Sequence, residues 1–312
     1  MRKKLKKLHC FDVKIIDEKL TRKVNVFNEI KKSLENRKTV DNRYRKLAEA
    51  DEAGEGEFIA NYKIINDEML MACFIAMKQG IAPEIKKAFF EKESFSLSEL
   101  ETKDKHDVEG HIKDHTHFLL TKDFLILKSS QGISNGTIST YLNWLLLNEK
   151  EYAGKAGVFT LPVHLRKTID VNNISAFAIG NNFKVKKDNL VEQTFSASQE
   201  ILTNFFSAAK LTIDPAKIFD AYITFKIKKL PKEDEDEDEK RKVIQKIFET
   251  IRDDNCDILD RHGQAIDITS IKAQKEINIM HTASGFPDET ELEKEMILYL
   301  QEMTNEKNNH TV

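Results

Sequence analysis

The chain contains segments with two different spacings of hydrophobic residues. Alternating positions, typical of β-strands, occur at residues 8–16, 58–65, 68–77, 117–120, 124–128, 158–165, 174–179, 219–227, 256–259 and 265–279. Helical spacing occurs at residues 24–34, 137–148, 197–211, 243–252 and 288–302. Because strands and helices do not follow one another at the regular spacing of a doubly wound parallel sheet, the pattern predicts an α+β fold.

Two pairs of these strands are close enough in sequence to form β-hairpins. Asn66 and Asp67 separate the first pair, and residues 121–123 separate the second. One face of the strand at 68–77 is rich in methionine, which favours an adaptable hydrophobic core over a binding groove. Its members are Met69, Met71, Cys73, Ile75 and Met77.

The domain boundary is predicted near residue 150. Residues 149–157 break the hydrophobic periodicity and contain Gly154 and Gly157, which supply a flexible backbone. The sequence therefore predicts two domains, each a mixed or antiparallel sheet with packed helices. Residues 1–150 form the first domain, with a basic surface, and residues 155–312 form the second, with an acidic loop at 233–239.

Composition indicates a cytoplasmic globular protein. Hydrophobic residues make up 40% of the 312 residues, enough for a substantial core. The apolar run at residues 142–147 is far too short to cross a bilayer, so no direct membrane insertion is expected. The three cysteines are distant and lack CxxC spacing, which argues against a disulfide framework and indicates a reducing compartment.

Positive charge is concentrated at the N-terminus. The first 46 residues contain sixteen Lys or Arg and six Asp or Glu, although the whole chain carries a formal net charge of −3. Because clustered cations attract polyanions, we expect this region to contact DNA backbone phosphates without reading bases. The expected contact residues are Lys3, Lys4, Lys6, Lys7, Lys31, Lys32, Arg37, Lys38, Arg43, Arg45 and Lys46.

Four of the nine histidines lie within one short segment, at His106, His111, His115 and His117. On a strand, His115 and His117 point to the same face, and such a pair can chelate a metal ion. The alternative interpretation is a polar loop leading into a strand edge. Since HExxH, P-loop, dinucleotide-binding and GxSxG motifs are all missing, the sequence predicts no catalytic residue, no cofactor and no defined metal site.

The order of segments resembles that of the RexA-like abortive-infection (phage-exclusion) proteins. The most telling portions are HFLLTKDFLILKSSQGISNGTISTYLNWLL, FDAYITFKIKKLPKEDEDEDEKRKVIQKIFETI, DILDRHGQAID and ELEKEMILYLQEM. This resemblance implies a two-domain α+β homodimer that binds double-stranded DNA nonspecifically. It also implies an intracellular phage sensor coupled to a separate membrane effector protein. The match is one of layout, so it transfers no individual functional residue.

Three functions follow as hypotheses. The first is a non-catalytic, sequence-nonspecific DNA-binding protein of an anti-phage system. The second is a metal-dependent nuclease or toxic effector that uses the cluster from His106 to His117. The third is a protein-interaction module that uses the methionine-rich hairpin or the C-terminal helix as its contact surface.

Overall fold

Antiparallel strands form most of the regular structure in this computed structural model. The structure describes residues 2–16, 24–47, 55–78, 84–101, 108–149, 152, 155–166, 173–182, 220–226, 241–242, 244–245, 256–266, 271–282 and 285–308. The chain divides into two compact units. The first comprises Met1–Lys167 together with Lys272–Val312, and the second comprises Thr168–Ile271.

An eight-stranded antiparallel sheet forms the centre of the first unit. Its strand order is β14-β1-β8-β7-β5-β4-β3, with β6 also paired to β7. The strands are β1 (Arg2–Asp12), β3 (Arg45–Lys46), β4 (Gly56–Ile65), β5 (Met69–Lys78), β6 (Glu84–Lys86), β7 (Val108–Leu120), β8 (Phe124–Lys128) and β14 (Gln274–His281). A separate pair joins β2 (Lys14–Ile15) to β9 (Phe159–Thr160).

Both predicted hairpins are confirmed. Between β4 and β5, Asn66 and Asp67 have φ of 51° and 54°, the left-handed geometry of a type I′ turn, and the Glu68 N–H donates to the Ile65 carbonyl at 3.2 Å. In the second hairpin, Thr121 accepts a hydrogen bond from the Phe124 backbone N–H at 3.0 Å, which fixes the turn into β8. Met71, Cys73, Ile75 and Met77 are buried, as expected for a core face.

Helices cover both faces of this sheet. Helix α1 (Val26–Asn36) and helix α3 (Asn135–Leu147) lie on one face, where Tyr141 packs edge-on against Phe74 with ring centroids 5.0 Å apart. Helix α4 (Glu289–Asn308) lies on the other face, where its apolar residues pack against Leu8, Met71 and Ile126. Short helices at Lys87–Phe90 (α2), Asp41–Arg43 (η1) and Leu97–Glu101 (η2) complete the unit.

The second unit contains a four-stranded antiparallel sheet of order β11-β10-β12-β13. Its strands are β10 (Ile174–Asn182), β11 (Asp220–Lys226), β12 (Cys256–Asp260) and β13 (Ala265–Ile266). Together, the two sheets and their helices confirm the predicted α+β class. The predicted helix at 197–211 and the acidic run at 233–239 lie outside the described residues, as does most of the predicted helix at 243–252.

The division into units differs from the predicted domains 1–150 and 155–312. Strand β14 and helix α4, near the C-terminus, belong to the first unit because β14 pairs with β1 over eight residues and α4 supplies five of the fourteen buried residues of a shared core. Periodicity identifies a strand but not its partner, so a sequence-based boundary cannot detect this return of the chain. Among the described residues, no helix has the length and apolar character needed to cross a membrane.

Candidate functional site

A cleft of about 690 Å³ opens on the α4 face of the large sheet, beside the segment that leads from β14 to α4. Its lining combines four lysines, two histidines and two serines with one carboxylate: Lys6, Lys7, Lys113, Lys128, His115, His281, Ser129, Ser130 and Asp114. Lysine ammonium groups, imidazole N–H groups and hydroxyls are all hydrogen-bond donors. The cleft is therefore suited to an anion that accepts several hydrogen bonds.

Strand register places Lys128 in the floor of this cleft. In β8, Phe124, Ile126 and Lys128 alternate onto the α4 face, and the first two join the core beneath α4. Lys128 is the register partner of Leu8 in β1, which also belongs to that core. A lysine thus occupies a position at which the strand pattern predicts an apolar side chain.

The Lys128 ammonium is buried and has no hydrogen-bond or ion-pair partner among the residues that the structure describes. Only 3% of the residue is exposed. Burial, followed by repulsion from Lys6, lowers the pKa of Lys128 from 10.5 to about 8. Attraction to Asp114 offsets only part of this cost, and a bound anion would supply a direct counter-charge.

The two histidines of the cleft are neutral near pH 7. Burial, reinforced by the positive charge of Lys128, lowers the pKa of His115 to about 3. Burial likewise lowers the pKa of His281, with Lys4 adding a smaller repulsion. The His115 ring packs edge-on against Phe286 at a centroid distance of 5.3 Å, and its buried Nε2 has no hydrogen-bond partner within the described residues.

Asp114 organises the loop at the rim of the cleft. Its carboxylate accepts hydrogen bonds from the backbone N–H groups of His115 at 2.7 Å and Gly132 at 2.6 Å. A Cβ at position 132 would lie only 3.2 Å from Asp114 Oδ2, so this close approach favours glycine. The loop then runs into α3, where Ser134 caps the helix by accepting from the Thr137 N–H at 3.1 Å.

A second group of polar side chains lies on the same sheet face. Cys73 in β5, His117 in β7 and Glu289 at the start of α4 place one ligand atom each within 4.8 Å of the others. Cys73 and His117 are register partners, and His117 Nε2 lies 3.4 Å from Glu289 Oε1. Cys73, His117 and Glu289 thus form a cluster of thiol, imidazole and carboxylate.

The histidine segment is placed only in part. His115 and His117 share one face of β7, with ring centroids 6.3 Å apart, as the alternation predicts. His111 lies in β7 opposite Lys78 and Glu84, and His106 lies outside the described residues. His115 and His117 therefore belong to two different sites: His115 lines the cleft, and His117 belongs to the thiol–imidazole–carboxylate cluster.

The predicted DNA-contact residues fall into separate regions. Lys3, Lys4 and Lys7 are exposed on β1, next to Lys6 in the cleft. Lys31 and Lys32 lie on α1, across the sheet from α4, and Lys31 forms a 2.8 Å ion pair with Asp67. These two α1 lysines therefore do not add to the positive charge of the cleft.

The remaining predicted contacts are also separated from the cleft lysines. Lys38 is exposed in the loop that follows α1. Lys46 is exposed on β3, which ends the sheet order at the edge opposite β14. The basic N-terminal segment is therefore not one continuous binding surface.

Three predicted contact arginines have structural partners instead. Arg43 is fully buried and donates hydrogen bonds to the backbone carbonyls of four residues, Ile59, Arg37, Lys38 and Glu93. Its burial corrects the expectation that it contacts DNA. Arg37 bonds the Glu149 carboxylate at 2.8 Å, and Arg45 bonds the buried Glu57 at 2.9 Å, so both positive charges are neutralised within the fold.

Sequence analysis missed Lys113, Lys128 and His281, which lie far from the basic N-terminus. One signal was present: Lys128 occupies the apolar phase of the FLILK strand. The proximity of β14 to β1, which brings in His281, had no local signal. No protein-family model, curated protein or solved structure matches this chain.

Proposed function

We propose that this chain binds double-stranded DNA without sequence preference by holding backbone phosphates in the cleft. The observation that carries the proposal is Lys128, a buried ammonium with no ion-pair partner among the described residues, in the floor of a lysine-rich cleft. Lysine contacts with phosphate supply affinity but no base identity, so they support nonspecific binding.

The cleft chemistry favours phosphate over a simple carboxylate ligand. A phosphodiester presents several acceptor oxygens around one centre, and the cleft offers ammonium, imidazole and hydroxyl donors from four strands and one loop. Because His115 is neutral near pH 7, it can donate one hydrogen bond without adding charge. Exposed Lys3, Lys4 and Lys7 extend positive charge along β1, where neighbouring phosphates of a long polyanion would lie.

The biological setting that we propose is anti-phage defence in the cytoplasm. In this proposal, the chain is a homodimeric, non-catalytic sensor that passes a DNA-binding event to a separate membrane effector protein. The support for this setting is the resemblance of segment order to RexA-like proteins, whereas the support for DNA binding is the geometry of the cleft. The two parts can therefore fail separately.

Salt dependence of DNA affinity tests the binding proposal. Lys6, Lys113 and Lys128 line the cleft without an ion-pair partner within the described residues, whereas Lys7 lies 3.8 Å from Glu276. Three neutralised phosphates predict a slope of log affinity against log salt of about −2.7. Between about 50 mM and about 200 mM salt, affinity should then fall roughly 40-fold.

Substitution of Lys128 identifies the cleft as the binding site. Lys128→Gln should reduce the slope to about −1.8 and weaken binding to a short random-sequence duplex, measured by fluorescence anisotropy. The matched control is Lys32→Gln, which removes an exposed lysine from α1 on the other sheet face. Equal effects of the two substitutions, or a salt-independent affinity, would refute the proposal.

The same samples decide between binding and cleavage. Incubation of the duplex with magnesium or manganese should leave it intact if the chain is a non-catalytic binder. Metal-dependent cleavage that is lost in His115→Gln would favour the nuclease hypothesis, since His115 is the histidine of the predicted cluster that lines the cleft.

A further inference from the structure

We propose that Cys73, His117 and Glu289 bind one zinc ion. Thiolate, imidazole and carboxylate are the three protein ligand types that zinc uses, and their ligand atoms here lie within 4.8 Å of one another. This site is distinct from the phosphate-binding cleft in its residues and in its chemistry.

The spacing fits zinc better than a direct hydrogen bond. His117 Nε2 and Glu289 Oε1 are 3.4 Å apart, longer than the usual 2.7–3.2 Å of an N–H···O bond. Zinc lies about 2.0–2.1 Å from imidazole nitrogen and from carboxylate oxygen, so two such ligands at a tetrahedral angle are separated by about 3.4 Å. The observed pair therefore has the separation that a shared ion would impose.

Strand pairing positions the third ligand, Cys73, beside His117. Cys73 in β5 is the register partner of His117 in β7, so both side chains project from adjacent strands onto the same sheet face. Both residues are almost completely buried, whereas the Glu289 side chain is 36% exposed and gives the cluster contact with solvent. Zinc binding would replace the Cys73 thiol proton, which is released to solvent as the Zn–S bond forms.

The other ring nitrogen of His117, on the side away from Glu289, also lacks a partner among the described residues. His117 is 1% exposed, and its Nδ1 has no hydrogen-bond partner in the described part of the chain. Buried polar atoms without partners are rare in native proteins and point to an unplaced water or ion. An ordered water at Nδ1 would satisfy this atom and fix the ring orientation, while a separate water would complete the four zinc ligands on the Nε2 side.

The ligand positions also predict what zinc would do to the fold. Cys73 and His117 belong to the sheet, whereas Glu289 is the first residue of α4. One ion would therefore fasten the start of α4 to two central strands. Thermal stability should accordingly rise with zinc concentration, because the ion binds the folded chain and the unfolded chain lacks the assembled site.

Metal uptake by the full chain tests this proposal. The wild-type protein is freed of metal with a chelator, dialysed against zinc and analysed for bound metal, with one tightly bound zinc per chain expected. Cobalt replaces zinc in a parallel sample, in which a sulfur-to-cobalt charge-transfer band should report thiolate ligation. DNA affinity is not the readout, so the result does not depend on the proposed function.

Matched variants assign the ligands. Cys73→Ser should abolish the charge-transfer band, whereas Cys10→Ser should retain it, because Cys10 is an equally buried free cysteine in the same sheet but outside the cluster. Glu289→Gln changes a partly exposed side chain and should lower zinc affinity at least tenfold without preventing folding. It therefore serves as the ligand test if the cysteine variant does not fold.

Two results would overturn the site. The first is a metal-free wild-type protein that takes up no zinc after dialysis. The second is uptake that gives no charge-transfer band with cobalt, or that persists unchanged in both Cys73→Ser and Glu289→Gln.

Discussion

Replacing Lys128 with methionine should stabilise the fold while weakening DNA binding. Methionine keeps the unbranched stem of lysine but removes the buried ammonium, which has no ion-pair partner among the described residues. The pKa of Lys128 falls from 10.5 to about 8 on folding, because burial and Lys6 disfavour its charged form. At 1.36 kcal/mol per unit, this shift corresponds to a cost of about 3 kcal/mol at pH 7.

The pH dependence of stability has a definite sign. Between pH 8 and pH 10.5 the unfolded chain holds the Lys128 proton more tightly than the folded chain. Stability of the wild-type protein should therefore rise with pH through this window, since the unfolded state binds more protons. The stabilising effect of Lys128→Met should be full, at about 3 kcal/mol, below pH 8 and should disappear near pH 10.5.

Urea unfolding of both proteins across this pH range measures the effect. A chelator in every sample prevents metal binding at Cys73 from changing the measured stability. The other charged groups that influence the pKa of Lys128 are Lys6 and Asp114. Lys32→Met, in which the lysine lost is exposed, should leave stability within about 0.5 kcal/mol of the wild type. A Lys128→Met protein that is less stable than wild type, or a difference that does not change with pH, would refute the reasoning.

Three further substitutions test the supporting structure. Arg43→Gln should cost about 3 kcal/mol in urea unfolding, because four backbone carbonyls lose a charged donor, while DNA affinity of the folded protein stays unchanged. Ser134→Ala should cost about 1 kcal/mol through loss of the α3 cap, and Ser134→Asp should restore most of it. Asn143→Leu should cost about 2 kcal/mol, because the Val158 and Phe159 N–H groups lose their buried acceptor; a smaller cost would mean that water replaces it.

Substitutions at Arg43 and Lys128 should differ most clearly in their effects on stability and on DNA binding. Both are buried cations, but Arg43 is surrounded by carbonyl acceptors, whereas Lys128 has no direct partner among the described residues. The first is therefore expected to support the fold, and the second to support function at the expense of stability. Each residue carries one positive charge, so charge alone does not distinguish their roles.

Local sequence patterns determined the fold class and most elements of the first unit. The predicted helices at 24–34, 137–148 and 288–302 are found as α1, α3 and α4, and the turn at Asn66-Asp67 closes the β4–β5 hairpin. These features depend on side-chain periodicity and turn geometry over a few residues, which the sequence states directly. The shared face of His115 and His117 follows from the same two-residue period.

The tertiary structure alone decided which charges act together. Lysines of the basic N-terminal segment separate onto β1 and α1, while Lys6, Lys113 and Lys128 meet in one cleft although they are distant in sequence. Pairing of β14 with β1 brings His281 to that cleft and Glu289 to His117. The sequence states the charge of each residue, but strand order decides whether that residue is buried, paired or clustered. Strand order could not be predicted, because long-range pairing leaves no periodic signal in the sequence.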